Sequence, residues 1–339
     1  MKHNFRTLSE FETVLGSQPE FDQISYERAL KRNSELTKPE GSLGRLEEIA
    51  LWIAGWQGRH TPRLDRIQIA IFAGNHGIAT KGVSAYPKEV TAQMVSNFEN
   101  GGAAINQLAK LYGAQLNVYA LDLEGQTQDF TVGVALTEVE CIEAILSGWD
   151  SVSDESDLFI AGEMGIGNTT SASALAAAIC GGEVEKWVGR GTGVDEVGLK
   201  LKAEVINKGL QLHLTDMPSP LKVLCRLGGR EIAAIAGAIA SARFKGVPFL
   251  LDGFICTAAA LVLEKTFLGS LDHVIAGHVS AESGHVLLLQ ELNKEPLLSL
   301  GMRLGEGSGA AVAIGILKAA IECHNGMATF NSAGVSNKS

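Results

Sequence analysis

Short apolar runs that end in glycine-rich turns recur along the chain. They lie at residues 66–77, 156–168, 246–253 and 271–280, and each is followed by a stretch with helical periodicity. The runs are apolar on both faces, which is typical of parallel strands buried in a sheet. The pattern therefore predicts an α/β fold with a parallel, Rossmann-like sheet, and ligands of such sheets bind at the carboxyl ends of the strands.

The two ends of the chain show a different pattern. The first sixty or so residues have helical periodicity, more charge and no strand-like run, and residues 307–326 are small or apolar at most helical positions. We therefore expect two domains. Residues 63–309 are predicted to form a large α/β domain that carries the active site, and residues 1–62 with residues 310–339 a small helical domain.

Composition and charge narrow the function classes. The chain has 339 residues and a net charge of -10, so DNA and RNA are not expected as partners. No apolar run is long enough to span a bilayer, and the first residues lack the apolar core of a secretory signal. The five cysteines are scattered, as reduced thiols are in cytosolic proteins. The sequence thus predicts a cytoplasmic protein with no membrane partner and no structural metal, which would need clustered ligands.

The segment GEMGIGNTTSASALAAA, residues 162–178, places a carboxylate inside a glycine-rich turn. Gly165 and Gly167 permit a tight turn with close backbone approach, and Asn168 is a favourable capping residue for the helix behind it. The free N–H groups and the dipole of that helix favour a phosphate. Glu163 would repel an anion beside it, so it suits a ribose hydroxyl or a developing cation. The alternative is a tight turn without a ligand.

A second glycine-rich turn, VGRGTGVD at residues 188–195, contains Gly191, Thr192 and Gly193. The helix predicted after it carries Lys202. A lysine that reaches from such a helix can hold a phosphate as a point charge. Otherwise Lys202 would be a solvated surface residue.

Late in the chain, Glu306 lies between Gly305 and Gly307, ahead of a long apolar helix. A carboxylate isolated among apolar residues and glycines has a raised pKa. A raised pKa makes it an effective general base near neutral pH. From spacing alone, a carboxylate that caps the helix is an equally good interpretation.

Two segments that contain histidine are weaker candidates. His76 follows the first apolar run, where a histidine more often completes hydrogen bonds in a turn than acts in catalysis. His278, Glu282 and His285 lie in HVSAESGH, but the histidines are seven residues apart and no H-E-x-x-H frame is present. A zinc site is therefore not expected there.

Seven segments, in order along the chain, together resemble one known family. They are LTKPEGSLGRLE (36–47), FAGNHGI with GVSAYPKEVTAQMV (72–95), GEMGIGNTT (162–170), VGRGTG (188–193), RLGGREIAAIAGA (226–238), FLLDGF (249–254) and RLGEGSGA (303–310). Over roughly residues 30–325 the chain is similar to the nicotinate-nucleotide–dimethylbenzimidazole phosphoribosyltransferases. The resemblance implies a homodimer, a large α/β domain with a parallel sheet, a small helical domain built from both chain ends, and no cofactor.

The resemblance also implies the chemistry and the roles of single residues. The substrates would be nicotinate mononucleotide and a benzimidazole, and the phosphoribosyl group would move between them with inversion at C1′. Glu306 matches the general base, and Glu163 a second active-site carboxylate near the ribose. The phosphate and ribose would be held by Gly165, Gly167, Asn168, Gly191, Thr192, Gly193 and Lys202. The benzimidazole would be held by Ser84, Tyr86 and Gln93.

Two alternatives compete with the transferase. A nicotinamide-cofactor oxidoreductase of the same α/β type would need a dinucleotide fingerprint with an acid about 20 residues further on, and that spacing is missing. A non-catalytic nucleotide-binding protein would explain the glycine-rich turns but gives Glu306 no role.

The segment at 277–285 departs from the family pattern, at Gly277 and Ser283. That departure bears on the rigidity of the loop and on the choice of acceptor.

Overall fold

The computed structural model describes residues 5–191 and 193–336, and one parallel sheet runs through this part of the chain. Its strands are β1 (Ile67–Ala73), β2 (Gln115–Ala120), β3 (Leu158–Met164), β4 (Phe249–Leu251) and β5 (Val274–Ala276). They are ordered β2-β1-β3-β4-β5, and each neighbouring pair is parallel. The predicted α/β fold with a parallel sheet is confirmed. In a sheet of this order, ligands bind outside the carboxyl ends of the strands.

Helices connect the strands and cover the sheet. They are α1 (Leu8–Leu15), α2 (Gln23–Glu35), α3 (Arg45–Gln57), α4 (Val90–Glu99), α5 (Ala104–Tyr112), α6 (Glu138–Ser151), α7 (Asn168–Cys180), α8 (Glu196–His213), α9 (Pro220–Leu227), α10 (Arg230–Phe244), α11 (Phe254–Thr266), α12 (Ser283–Glu291), α13 (Ser308–Gly326) and α14 (Phe330–Ala333). Short 3-10 helices span Gly77–Lys81 and Val184–Lys186.

The two central strands are buried on both faces, as their apolar runs predict. On β1, Ile69 and Ile71 face one hydrophobic core, while Ala70 and Phe72 face the other. The same alternation holds along β3. Because side chains of a strand point alternately to opposite faces, a strand covered by helices on both sides needs apolar residues at every position.

The sequence pattern does not reveal β2. This strand lies at the edge of the sheet, where it pairs with β1 from Gln68↔Gln115 to Ala73↔Ala120. Its side chains are half-buried or exposed, and Asn117 is polar. An edge strand is not enclosed by neighbours, so it does not need the continuous apolar run that identifies the central strands.

The two ends of the chain are helical, as expected, but they do not all pack together. Helices α3 and α13 contact each other and lie on the same face of the sheet, in the core that includes Ile69 and Ile71. Helix α1 instead buries Leu8, Phe11 and Leu15 in the opposite core. The domain boundaries 1–62, 63–309 and 310–339 therefore stay a prediction, and α1 is the element that fits them least.

Helices α6 and α10 approach each other until their backbones touch. A Cβ atom at Gly148 of α6 would lie only 1.7 Å from the carbonyl oxygen of Ala234 on α10. A Cβ at Gly237 of α10 would meet the carbonyl of Ile145 in the same way. Glycine in a helix costs about 1 kcal/mol relative to alanine, so these two positions exchange helix propensity for close packing.

We expect Gly148→Ala to lower the free energy of unfolding by about 1–3 kcal/mol, because the added methyl group forces α6 away from α10. Gly326→Ala is the matched control, since a Cβ at the end of α13 would have nothing within 4 Å. It should leave stability unchanged or raise it slightly. Urea unfolding of the two variants and the parent chain measures both effects. A Gly148→Ala variant as stable as the parent would contradict the close approach.

Candidate active site

Glu163 lies at the end of β3, where its side chain is 7% exposed. The Nδ2 group of Asn168 donates a hydrogen bond to Glu163 Oε2. The residue type of Asn168 suggested that it caps helix α7, but it does not. The capping position is Gly167, which has a φ of +96°, and no side chain completes the cap there. The first turn of α7 thus orients the carboxylate of Glu163.

Glu306 is held above the end of β3 by an unusual backbone path. Gly305, Glu306 and Gly307 all have positive φ, at +83°, +63° and +75°. Such a conformation is strained for a glutamate and persists only where the surrounding fold imposes it. The fold does so by close contact, because a Cβ at Gly162 would lie 2.6 Å from the carbonyl oxygen of Glu306 and 2.5 Å from Cδ1 of Ile71.

Asp252 anchors this path to the sheet. It follows β4 directly and is 1% exposed. Its Oδ2 accepts the N–H of Gly307 at 3.1 Å, and its Oδ1 accepts the N–H of Ala310 at 2.9 Å. A carboxylate is favourable at this place, because it satisfies free N–H groups at the positive end of α13. The helix that follows Glu306 therefore begins at a fixed point above the strands.

The two glutamates hold their protons more tightly than ordinary carboxylates. Burial is the main cause that raises the pKa of Glu163 to about 8; the charges of Asp252, Glu231 and Glu306 add to it, and the bond from Asn168 opposes it. Burial, followed by the charge of Asp252, raises the pKa of Glu306 to about 7. Glu306 Oε2 is also buried without a hydrogen-bond partner in the described part of the chain. Glu306 is thus suited to accept a proton near neutral pH.

A cavity of about 490 Å³ opens at the carboxyl ends of β3, β4 and β5. Its size is that of a small-molecule site. It is lined by Tyr86, Glu163, Met164, Gly165, Ile166, Asn168, Thr169, Gly191, Asp252, Gly253, Phe254, Ile255, Cys256, His278, Ser280, Glu282, Arg303, Leu304 and Gly305. Glu306 is not among them, but it follows Gly305 in the chain and is 5% exposed. The cavity therefore reaches Glu163 and the turn that carries Glu306.

A buried lysine joins two of the segments that line the cavity. Lys202 is 2% exposed, and its Nζ donates to Thr169 Oγ1 and to the carbonyl oxygen of Gly189, both at 3.1 Å. Burial lowers the pKa of Lys202 to about 8, and the charge of Glu282 opposes that change. Lys202 is thus buried, not solvated, and it connects the first turn of α7 to the turn that contains Gly191. This grouping can hold an anion.

The remaining phosphate candidates are placed less clearly. Gly165 lines the cavity. Gly193 belongs to the turn after Gly191 and has a φ of +114°, but it is not a lining residue. Thr192 lies outside the described residues.

Of the three residues expected to hold the benzimidazole, Tyr86 lines the cavity and is 54% exposed. Ser84 lies just behind it, and its Oγ accepts the N–H of Tyr86 at 3.2 Å. Gln93 is exposed on α4 and is not a lining residue. The structure thus brings Tyr86 to the site and leaves Ser84 and Gln93 outside its wall.

Of the three histidines considered above, His278 lines the cavity, whereas His76 and His285 are structural. His76 is 1% exposed; its Nε2 bonds to Glu231 Oε1 at 2.5 Å and its Nδ1 to Ser171 Oγ at 3.1 Å. His285 bonds to Thr257 and Ser280, and burial lowers its pKa to about 3. Both complete hydrogen bonds inside the fold.

Sequence reasoning gives no role to three side chains that build the site. Asp252 is not singled out by its spacing, although it follows an apolar strand just as Glu163 does. The residue type of Thr169 suggests only a helix cap. Glu282 was considered only as part of a zinc site with two histidines, which the spacing does not support. Their shared signal is position, since each lies within a few residues of a strand end or a helix start.

Within residues 5–191 and 193–336, no three metal-ligating side chains are grouped closely enough to hold an ion, and no helix is long and apolar enough to cross a bilayer.

Comparisons with known proteins show which family this chain resembles. A family model described as "Phosphoribosyltransferase" matches residues 18–335. A nicotinate-nucleotide–dimethylbenzimidazole phosphoribosyltransferase of Cereibacter sphaeroides is 56% identical over 335 residues, covering 99% of both chains. The enzyme of the same name from Mesorhizobium japonicum is 54% identical over 334 residues, covering 98% of this chain and 99% of its own.

Solved structures give the same result for the fold. A crystal structure of CobT from Thermus thermophilus is 42% identical and superposes with a TM-score of 0.88, covering 93% of this chain and 100% of that one. The seven motifs, the sheet order and these full-length relatives have one explanation: the chain belongs to the nicotinate-nucleotide–dimethylbenzimidazole phosphoribosyltransferase family.

Proposed function

We propose that this chain transfers the phosphoribosyl group of nicotinate mononucleotide to 5,6-dimethylbenzimidazole, giving α-ribazole 5′-phosphate and nicotinate. The observation that carries the proposal is the pair of buried acids, Glu163 and Glu306, brought together at the end of β3 next to a site suited to an anion. The names of the relatives support the same pair of substrates.

The reaction needs a base more than it needs help with the leaving group. The pyridinium of nicotinate mononucleotide departs from C1′ with the bonding electrons and becomes a neutral ring. The unprotonated nitrogen of the benzimidazole forms the new bond to C1′ from the opposite face, which inverts the configuration. The other ring nitrogen then has an acidic N–H. Glu306, whose pKa is about 7, is suited to accept that proton.

Once the substrate is bound, Glu163 would supply negative charge near the reacting carbon. With a pKa of about 8, it holds its proton at pH 7 among the neighbouring acids. A pyridinium placed beside it would favour the charged form, since an opposite charge lowers the pKa of a carboxyl group. The carboxylate would then stabilise the positive charge that develops at C1′. The bond from Asn168 keeps the side chain in place.

The rest of the site positions the two substrates. Gly165, the amide of Gly191 and the ammonium of Lys202 are proposed to hold the 5′-phosphate, with the first turn of α7 contributing its positive end. The exposed ring of Tyr86 at the cavity wall is proposed to pack on the flat acceptor. Holding two aromatic rings on opposite faces of one sugar is a positioning task, which accounts for much of such a rate enhancement.

The homodimer remains a prediction from the family resemblance, and the cytoplasmic location remains a prediction from the composition of the sequence. The two alternative functions are less well supported. Family membership argues against an oxidoreductase, and a non-catalytic binding protein would not need a strained glutamate with a raised pKa.

The direct test of the proposed function incubates the chain with nicotinate mononucleotide and dimethylbenzimidazole and measures nicotinate and α-ribazole 5′-phosphate by chromatography. If neither product forms, the proposal fails.

We expect Glu306→Gln to lower kcat by about 10²–10⁴-fold, because the amide cannot accept the proton. Binding of nicotinate mononucleotide, measured by calorimetry, should be retained. The matched control is Glu322→Gln, which removes a carboxylate from an exposed position on α13, the helix that follows Glu306, without touching the cavity. Wild-type turnover in the Glu306 variant would remove that residue from the role of base.

The pH dependence follows from the pKa of Glu306, which is about 7. Only the deprotonated form of Glu306 can act as base, so its protonation should lower kcat/KM about tenfold per pH unit below pH 7, in addition to the fall that protonation of Glu163, whose pKa is about 8, begins at higher pH. The residual activity of Glu306→Gln should lack this step. A profile of kcat/KM from about pH 5 to 9 for both proteins, at constant ionic strength, measures it. A parent profile that is flat through pH 7, or one that declines, would contradict the assignment.

A further inference from the structure

A buried acid occupies the place where the substrate phosphate is expected. Glu282 is 8% exposed and lines the cavity. Its Oε1 accepts the N–H of Gly191 at 2.9 Å. That N–H is one of the donors assigned above to the 5′-phosphate. A carboxylate and a phosphate cannot both take this donor in the same way.

The second oxygen of Glu282 is packed against the neighbouring turn. Oε2 is buried and has no hydrogen-bond partner among the described residues. It lies over Gly189, where a Cβ atom would collide with it. A buried carboxylate oxygen without a partner is costly. Among the described residues, the bond to Gly191 is the one hydrogen bond of this side chain, and it holds a charged group in an otherwise unfavourable position.

The position of Glu282 in the chain allows its side chain to leave. It is the residue before α12, with φ -75° and ψ 123°, and its side chain does not cap that helix. Rotation about its side-chain bonds would free the Gly191 N–H without disturbing α12. The turn itself has other support, because Arg303 donates to the carbonyl oxygen of Gly191 at 3.1 Å.

The positive charge of Lys202 attracts both the carboxylate of Glu282 and a bound phosphate. Its ammonium is buried, and the charge of Glu282 favours its protonated form by raising its pKa. A phosphate carries a charge of about -1.5 to -2 at neutral pH. Placed at the Gly191 turn, it would offer Lys202 a stronger partner, and it would repel a carboxylate left beside it.

We propose that Glu282 is an internal competitor of the substrate phosphate, which must displace its carboxylate from the Gly191 amide in order to bind. This inference rests on the proposed function, because that function supplies the phosphate. It assigns to Glu282 control over how tightly phosphate-bearing ligands bind, and no part in the bond-making step. Its removal should therefore change affinity much more than turnover.

The test compares ligands with and without a phosphate. Calorimetry measures the Kd of inorganic phosphate, nicotinate mononucleotide and nicotinate riboside. We expect Glu282→Gln to bind the first two about tenfold more tightly, because the repelling charge is gone. The riboside lacks the phosphate, so its Kd should not change. Glu282→Ala, which removes the competing acceptor as well, should show the same pattern and guards against an effect of the amide.

The control is Glu183→Gln, which removes the same charge from an exposed side chain before the 3-10 helix at Val184–Lys186. It should bind all three ligands as the parent does. The inference is overturned if both Glu282 variants bind phosphate as the parent does or more weakly, or if the riboside gains as much as the nucleotide. Nicotinate release by the parent chain is measured in parallel. Its absence would defeat the proposed function, whereas its presence with unchanged affinities would defeat this inference alone.

Discussion

The carboxylate of Asp252 fixes the position of the turn that carries Glu306 relative to the sheet. It extends from the end of β4 and accepts the N–H groups of Gly307 and Ala310, so α13 begins against the strand ends. Both bonds are charge-assisted, which makes them stronger than bonds between neutral groups. With α13 fixed in this way, the backbone of Glu306 passes over Gly162, where no Cβ atom would fit. Two acids far apart in the sequence are thereby held at one end of β3.

Charged side chains are buried at unfavourable positions both near the two glutamates and near Lys202. Glu163 and Glu306 are buried near other acids, and their raised pKa values record that unfavourable environment. Lys202 is buried as well, and its lowered pKa records the same effect for a cation. A ligand with a positive ring and a negative phosphate would relieve both. Nicotinate mononucleotide, the substrate proposed above, carries both of these charges.

The sequence predicts the fold well and the site in part. Central strands are recognisable because burial on both faces demands apolar residues throughout, whereas the edge strand β2 lacks that requirement and escapes the pattern. Glu163 and Glu306 could be found, because glycines on either side of a lone acid are visible in the chain. The roles of Asp252 and Glu282 could not, because each depends on a partner brought near only by folding. Gln93 matches the family motif but lies outside the cavity wall, so its role in binding stays a prediction.

By itself, the sequence determined the alternation of strands and helices, the parallel sheet and the location of the glycine-rich turns. These are local properties, because periodicity and backbone freedom are set by neighbours along the chain. The tertiary structure alone decided which of the turns meet, that Lys202 is buried and not solvated, and that Glu282 takes the amide of Gly191. Those outcomes depend on contacts between residues distant in sequence. Burial and charge at such contacts are properties of the whole fold, and they set the chemistry of each acid in it.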